Sequence, residues 1–153
     1  MNFMKKQTAG SGITFVAFVL SIVAIIVYFV NIGSAGYFQN AAVPETVMYN
    51  VFGIVLLAVV LVVSQLSING AAGKVLTIVS DALSIGAPVL FIAALMKLVS
   101  SRVQGFAFIY FSNEEVLHEV QTAENMSSAH GTIANMVLLG VTAVVAMAAA
   151  FFS

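Results

Sequence analysis

The feature that most constrains this chain is the spacing of its charged residues. Four apolar runs of 18 to 25 residues follow one another, and three of them hold no charged side chain. An α-helix rises 1.5 Å per residue, so it needs about 20 apolar residues to cross the hydrocarbon core of a bilayer. The runs cover residues 13–30, 47–66, 75–99 and 132–152. The pattern predicts four transmembrane helices and therefore a multi-pass membrane protein.

Composition excludes the main alternatives. Only 7% of the residues are charged and the mean hydropathy is +1.11, whereas a soluble domain has about 25% charged residues. The five Lys and Arg residues are too few to bind nucleic acid, so the expected partner is the lipid bilayer. Barrel strands alternate in polarity, and these runs do not. We predict an all-α fold, a four-helix transmembrane bundle that forms one membrane domain over residues 1–153.

The basic residues predict the orientation. Three lysines lie on the side of the N-terminus and of the short turn at 67–74, and two basic residues lie on the other side. An excess of Lys and Arg marks the cytoplasmic side. We therefore expect a protein of the cell membrane, with both termini cytoplasmic and the loops at 31–46 and 100–131 outside. The run at 13–30 is too long for the apolar part of a cleaved signal peptide, and we interpret it as a retained helix. The three lysines on the predicted cytoplasmic side are Lys5, Lys6 and Lys74, and the two basic residues on the outer side are Lys97 and Arg102.

The longer outer loop contains a second pattern. Residues 112–115 read Ser-Asn-Glu-Glu, which predicts a capping box with Ser112 as N-cap and Glu115 bonded back to it. The amphipathic helix that begins there is expected to end near Asn125. The aromatic segment 103–111 before it is consistent with a strand, an interfacial segment or an extension of the third helix. We thus expect a short structured extracytoplasmic segment between the third and fourth spans.

Asp81 is the only acidic residue inside a predicted span. It shares one helical face with Thr77 and Ser84, because residues at i, i+4 and i+7 align along a helix. One hypothesis is a cation-handling or proton-handling face that lines a pore. The other is hydrogen bonding between helices, with polar side chains at similar depth on the second helix or with Lys74. The candidate polar site therefore comprises Thr77, Asp81, Ser84, Ser64 and Gln65.

The remaining polar residues predict no catalytic centre. Glu115 and His118 have the Glu-x-x-His spacing of di-metal sites, but those sites need two such motifs. The sequence has no cysteine, and it lacks a Gly-rich phosphate loop and the HExxH zinc motif. We expect no metal, no cofactor and no enzymatic activity.

Small residues mark one face of two predicted helices. Such stripes let helix backbones approach closely, either within one subunit or between subunits. The first helix carries Ala17, Ser21 and Ala24, and the fourth carries Thr142, Ala146 and Ala150.

These observations favour a non-enzymatic protein with four spans. We expect it to act as a structural, accessory or assembly subunit of a homo-oligomeric or hetero-oligomeric membrane complex, partnered by itself or by another membrane protein. The alternative is an oligomeric channel, or a proton-coupled or cation-coupled transporter, that uses the face formed by Thr77, Asp81 and Ser84.

Overall fold

A computed structural model describes residues 9–66 and 69–152, and these residues form five α-helices. All of them except α4 are long and apolar enough to span a membrane, which confirms the all-α fold with four membrane-length helices. Lys5 and Lys6, on which part of the orientation argument depends, lie outside the described residues. The helices are α1 (Ala9–Gly33), α2 (Pro44–Gln65), α3 (Gly70–Phe111), α4 (Glu114–Val120) and α5 (Ala123–Phe152).

The four long helices form a bundle with two distinct ends. Helices α1 and α3 each pack against both α2 and α5. We name the end with the start of α1 and the α2–α3 connection the turn end. The opposite end carries residues 34–43, the last part of α3, α4 and the start of α5, and we name it the cap. The apolar core inside the bundle includes Tyr28, Leu57, Phe91, Leu98 and Leu139.

Polarity in this bundle is reversed with respect to a water-soluble protein. Valine, isoleucine and phenylalanine side chains are exposed along all four long helices. Polar side chains are buried instead. Some bond to a neighbouring helix, as Ser11 and Thr46 do, and others bond to the backbone of their own helix, as Thr142 does. Such an arrangement suits a bundle whose outer surface contacts lipid, because buried polar side chains can join helices there. The buried polar residues include Ser11, Thr14, Ser21, Thr46, Asn50, Ser84, Asn135 and Thr142.

Five of the six residues in the two small-residue stripes lie inside the bundle, and Ala150 is half-buried. Ala17, Ser21 and Ala24 are fully buried on α1, and Thr142 and Ala146 are buried on α5. Helices α1 and α5 pack against each other, and small side chains allow this close approach. Of the two alternatives for these stripes, packing within one subunit therefore accounts for the five residues.

Helix α3 is much longer than the span predicted at 75–99. It has 42 residues, so it extends about 63 Å, twice the thickness of a hydrocarbon core. The segment 103–111 is an extension of this helix, the third of the three predicted alternatives. It stays helical because one face remains buried in the cap through Arg102, Gly105 and Ile109.

The predicted capping box is wrong, because Ser112 is not the N-cap of α4. The side chain of Asn113, not Ser112, caps α4, since Asn113 Oδ1 accepts a hydrogen bond of 3.0 Å from the amide of Val116. The Ser112 hydroxyl instead donates to the carbonyl oxygen of Phe108. Ser112 is thereby bonded to the last turn of α3 and is not available to α4.

Helix α4 ends at Val120, five residues before the predicted end, because a second cap follows it. Thr122 Oγ1 accepts a hydrogen bond of 3.1 Å from the amide of Asn125, which starts α5. Asn125 Nδ2 donates to the carbonyl oxygen of Val120 and closes α4. Helix α5 therefore begins at Ala123, nine residues before the predicted start at Thr132.

The orientation is testable with single cysteines, because the chain has none of its own. Asn113 and Asn69 are exposed at opposite ends of the bundle. We expect Asn113→Cys to react with a membrane-impermeant thiol reagent in intact cells, and Asn69→Cys to react only after the membrane is permeabilised. The opposite labelling pattern would place the cap in the cytoplasm.

Candidate functional site

The turn end of α3 is packed differently from the rest of that helix. No residue from 70 to 83 is buried. From Ser84 onward a buried residue recurs at nearly every turn, through Phe91, Leu98 and Ile109. The first 14 residues of α3, about 21 Å at 1.5 Å per residue, therefore present most of their surface outside the bundle.

Asp81 lies in this unpacked segment, with its side chain exposed. Thr77 is exposed one turn before it and donates a hydrogen bond of 3.0 Å to the carbonyl oxygen of Gly73. Ser84 is only 6% exposed and faces the interior. The structure thus divides the predicted polar face, with Thr77 and Asp81 on the outside of the bundle and Ser84 within it.

The structure does not bring Asp81 to the polar residues of α2. Ser64 Oγ accepts a hydrogen bond of 3.0 Å from Ser11 and donates one of 2.8 Å to the carbonyl oxygen of Leu61. The Gln65 amide lies 3.4 Å from Ser64 Oγ. Within residues 9–66 and 69–152, no hydrogen bond or ion pair reaches Asp81, from Lys74 or from any other side chain. The predicted bond between α2 and Asp81 is therefore absent from the part of the chain that the structure describes.

A polar cluster that the sequence did not single out joins α1 to α5 at the cap. Asn31 Nδ2 donates a hydrogen bond of 2.8 Å to the carbonyl oxygen of Ser128, and the Thr132 hydroxyl lies 2.8 Å from Asn31 Oδ1. The backbone amide of Phe38 donates to Ser128 Oγ at 3.0 Å. The four-residue spacing of Ser128 and Thr132, just before an apolar run, was the signal that could have revealed it.

Arg102 is a second cap residue whose role the sequence did not show. Its side chain is only 2% exposed, whereas the sequence indicates only its contribution to the charge asymmetry. Arg102 Nη2 donates a hydrogen bond of 2.7 Å to the carbonyl oxygen of Ala41, and the guanidinium carbon lies 4.8 Å from the centre of the Phe38 ring. Arg102 therefore fastens the loop between α1 and α2 to the extension of α3.

Asn50 lies in the bundle core without any hydrogen bond. Its side chain is 0% exposed, and neither its amide nitrogen nor its oxygen has a partner among the described residues. Thr46, one turn earlier, donates a hydrogen bond of 3.0 Å to the carbonyl oxygen of Ala94, so this face of α2 is directed toward α3. A buried amide group whose nitrogen and oxygen both lack a hydrogen bond lowers the stability of the fold.

We expect Asn50→Leu to raise the free energy of unfolding, because it removes an unsatisfied amide that costs about 1–3 kcal/mol and keeps the number of heavy atoms in the side chain. Reversible unfolding in mixed detergent micelles measures this value. Val51→Leu, at an exposed neighbouring position, is the control and should have little effect. A stability loss in Asn50→Leu would show that the amide makes polar contacts in the membrane.

The acidic residues of α4 lie on an open surface. Glu114, Glu115 and His118 border a shallow depression of about 270 Å³, and Glu119 is exposed beside them. Among the described residues, no three His, Cys, Asp or Glu side chains are arranged to hold a metal ion. The absence of a functional metal stays a prediction, which elemental analysis of the purified protein checks.

Asp81 is the candidate site that faces beyond this chain. The bonds of Asn31, Ser128 and Arg102 all close within the cap, whereas the Asp81 carboxyl group lies outside the bundle, where it can accept a proton, a cation or a hydrogen bond from another molecule. Comparison with protein-family models, with curated proteins and with solved structures gives no match to this chain.

Proposed function

We propose that this protein is a non-enzymatic integral membrane protein that serves as an assembly or accessory subunit of a larger membrane complex. The observation that carries this proposal is the unpacked segment 70–83 of α3, which exposes Asp81 on the outside of the bundle. An acidic side chain at the centre of a bilayer costs about 2.5–3.5 kcal/mol, and less toward either end. A partner that covers the segment removes this contact between acid and lipid.

Two lysines support the position of the bilayer in this proposal. Lys74 and Lys97 are exposed on α3, and the helix rises about 34 Å over the 23 steps from one to the other, close to the thickness of the hydrocarbon core. The start of α2 lies near the level of Lys97, since Thr46 of α2 donates a hydrogen bond to the carbonyl oxygen of Ala94 on α3. Asp81 then lies about 10 Å inside the hydrocarbon, measured along the helix from Lys74.

The cap provides a second surface for assembly. Residues 98–111 of α3 project about 21 Å past Lys97 and expose apolar side chains at Val103, Phe108 and Phe111. Phe111, at the tip, is 83% exposed. Exposed apolar side chains outside the bilayer favour protein–protein contacts.

The mass of the particle tests the proposal. The tagged full-length chain, extracted in mild detergent from the membranes of cells that make it naturally, is expected to give a native mass well above the 16.0 kDa of one copy. Ile78→Trp, within the unpacked segment, should release the single chain because it overpacks the contact. Val144→Trp is the matched control, since Val144 is similarly exposed on α5. A monomeric wild-type protein would overturn the proposal.

A second candidate function is a proton or cation pathway formed between subunits. It is favoured by the joint exposure of Thr77 and Asp81 on the outside of α3. In this case Asp81→Asn should abolish flux into proteoliposomes and leave thermal stability unchanged, because an amide cannot carry charge. Glu119→Gln makes the same chemical change on the cap and should leave flux intact. Wild-type vesicles without flux of protons or common cations would eliminate this function.

A further inference from the structure

We infer that Asp81 pairs with a basic residue on the transmembrane helix of a different membrane protein. That helix carries a Lys or Arg at the depth of Asp81, which is about 10 Å into the bilayer from the membrane surface at the level of Lys74. This inference rests on the proposed function, and it names the chemistry of the partner. Acidic residues within membranes commonly pair with opposite charges.

Residues 9–66 and 69–152 supply no cation at this depth. Helices α1, α2 and α5 contain no Lys or Arg in their described ranges. On α3, Lys74 lies two helical turns before Asp81 and forms no ion pair with it among the described residues. Within the described residues, a positive charge opposite Asp81 therefore has to come from another molecule.

A second copy of this chain is a poor source of that charge. Copies in a closed symmetric assembly within one membrane share one orientation, so equivalent residues lie at the same depth. Asp81 of one copy then meets no Lys or Arg at its own depth among the described residues of the next copy, and two neighbouring carboxylates resist joint ionisation. Charge complementarity consequently favours a different chain.

The surroundings of Asp81 suit a helix as the occupant. Ile78 and Ile85 flank it at i−3 and i+4 on the same face, and they are 68% and 63% exposed. Side chains at this spacing form a continuous ridge against which a second helix can pack. Apolar contacts above and below the carboxyl group keep water out, and a low dielectric strengthens attraction between opposite charges.

Energy transfer in phosphatidylcholine vesicles tests the inference. The full-length protein carries a donor dye on Asn69→Cys, its only cysteine. The probe is a synthetic Leu/Ala transmembrane helix with an acceptor dye and a single Lys about 10 Å from one end, and its reference has Leu at that position. We expect the Lys helix to associate at least tenfold more strongly than the Leu helix. Asp81→Asn should remove this difference, whereas Glu119→Gln should keep it.

Equal association of the Lys and Leu helices would overturn the inference, as would a Lys preference that survives Asp81→Asn. Energy transfer between differently labelled copies of this protein, lost in Asp81→Asn, would assign the face to a second copy instead. The proposed function fails separately, if the native particle is a single chain. A large native particle that Ile78→Trp dissociates and Asp81→Asn leaves intact would keep the assembly role and reject the charge pair.

Discussion

Gly36→Ala is expected to lower the free energy of unfolding by about 3 kcal/mol, through backbone strain and overpacking together. Gly36 has a φ angle of +146°, which side chains rarely allow. A Cβ atom there would also lie 2.5 Å from Ser128 Cβ and 2.6 Å from the carbonyl oxygen of Glu124. Because both atoms belong to α5, the loop must move away from that helix, and the hydrogen bond from the Phe38 amide to Ser128 is lost.

Thermal unfolding in mild detergent measures the loss, and hydrogen exchange at the Phe38 amide locates it. Gly33→Ala is the matched control, because no atom lies within 4 Å of a Cβ at Gly33. Equal stability of the two variants would show that the loop is not held against α5 in the way described.

Arg102→Lys is expected to lower the free energy of unfolding by about 2 kcal/mol, because lysine lacks the planar fork of arginine. Lysine keeps a buried charge and its desolvation cost, yet it cannot both stack on Phe38 and donate to Ala41. Each of those contacts contributes about 1–2 kcal/mol. Hydrogen exchange over residues 34–43 should accelerate in parallel. Lys97→Arg, at an exposed position, is the control and should change stability by less than about 0.5 kcal/mol.

Arg102→Met separates the charge from the shape of the side chain. Methionine fills a similar volume and removes the buried charge, so we expect a smaller loss than for lysine. If methionine is the more harmful substitution, the positive charge itself stabilises the cap.

The sequence was sufficient for the long helices because length and apolarity alone define them. Residues 13–30 and 47–66 read as uncharged runs of the required length, and α1 and α2 cover these runs almost completely. The boundaries in the cap were less predictable. Ser112 and Asn113 are both good N-cap residues, and the choice depends on the bond of Ser112 to the last turn of α3.

The sequence was enough to identify Asp81 as the candidate residue, but not to predict that its side chain is exposed on the outside of the bundle. Asp81 stands out because it is the one acid in a predicted span. Whether it faces inward depends on how the turn end of α3 packs against the other helices, which is a property of tertiary structure. Periodicity placed Ser84 on the same face as Thr77 and Asp81, but no residue of α3 before Ser84 is buried, so the burial of Ser84 depends on where α3 begins to pack against the other helices.

Helix α3 is continuous, so it connects the segment around Asp81 directly to the tip at Phe111. The helix is unbroken through Pro88, and the 30 residues from Asp81 to Phe111 span about 45 Å. A tilt of about 5° at the turn end would displace the tip by roughly 4 Å, by the geometry of a rod of this length. A partner that binds within the membrane and tilts the turn end would then move the cap sideways, because α3 itself connects the two regions.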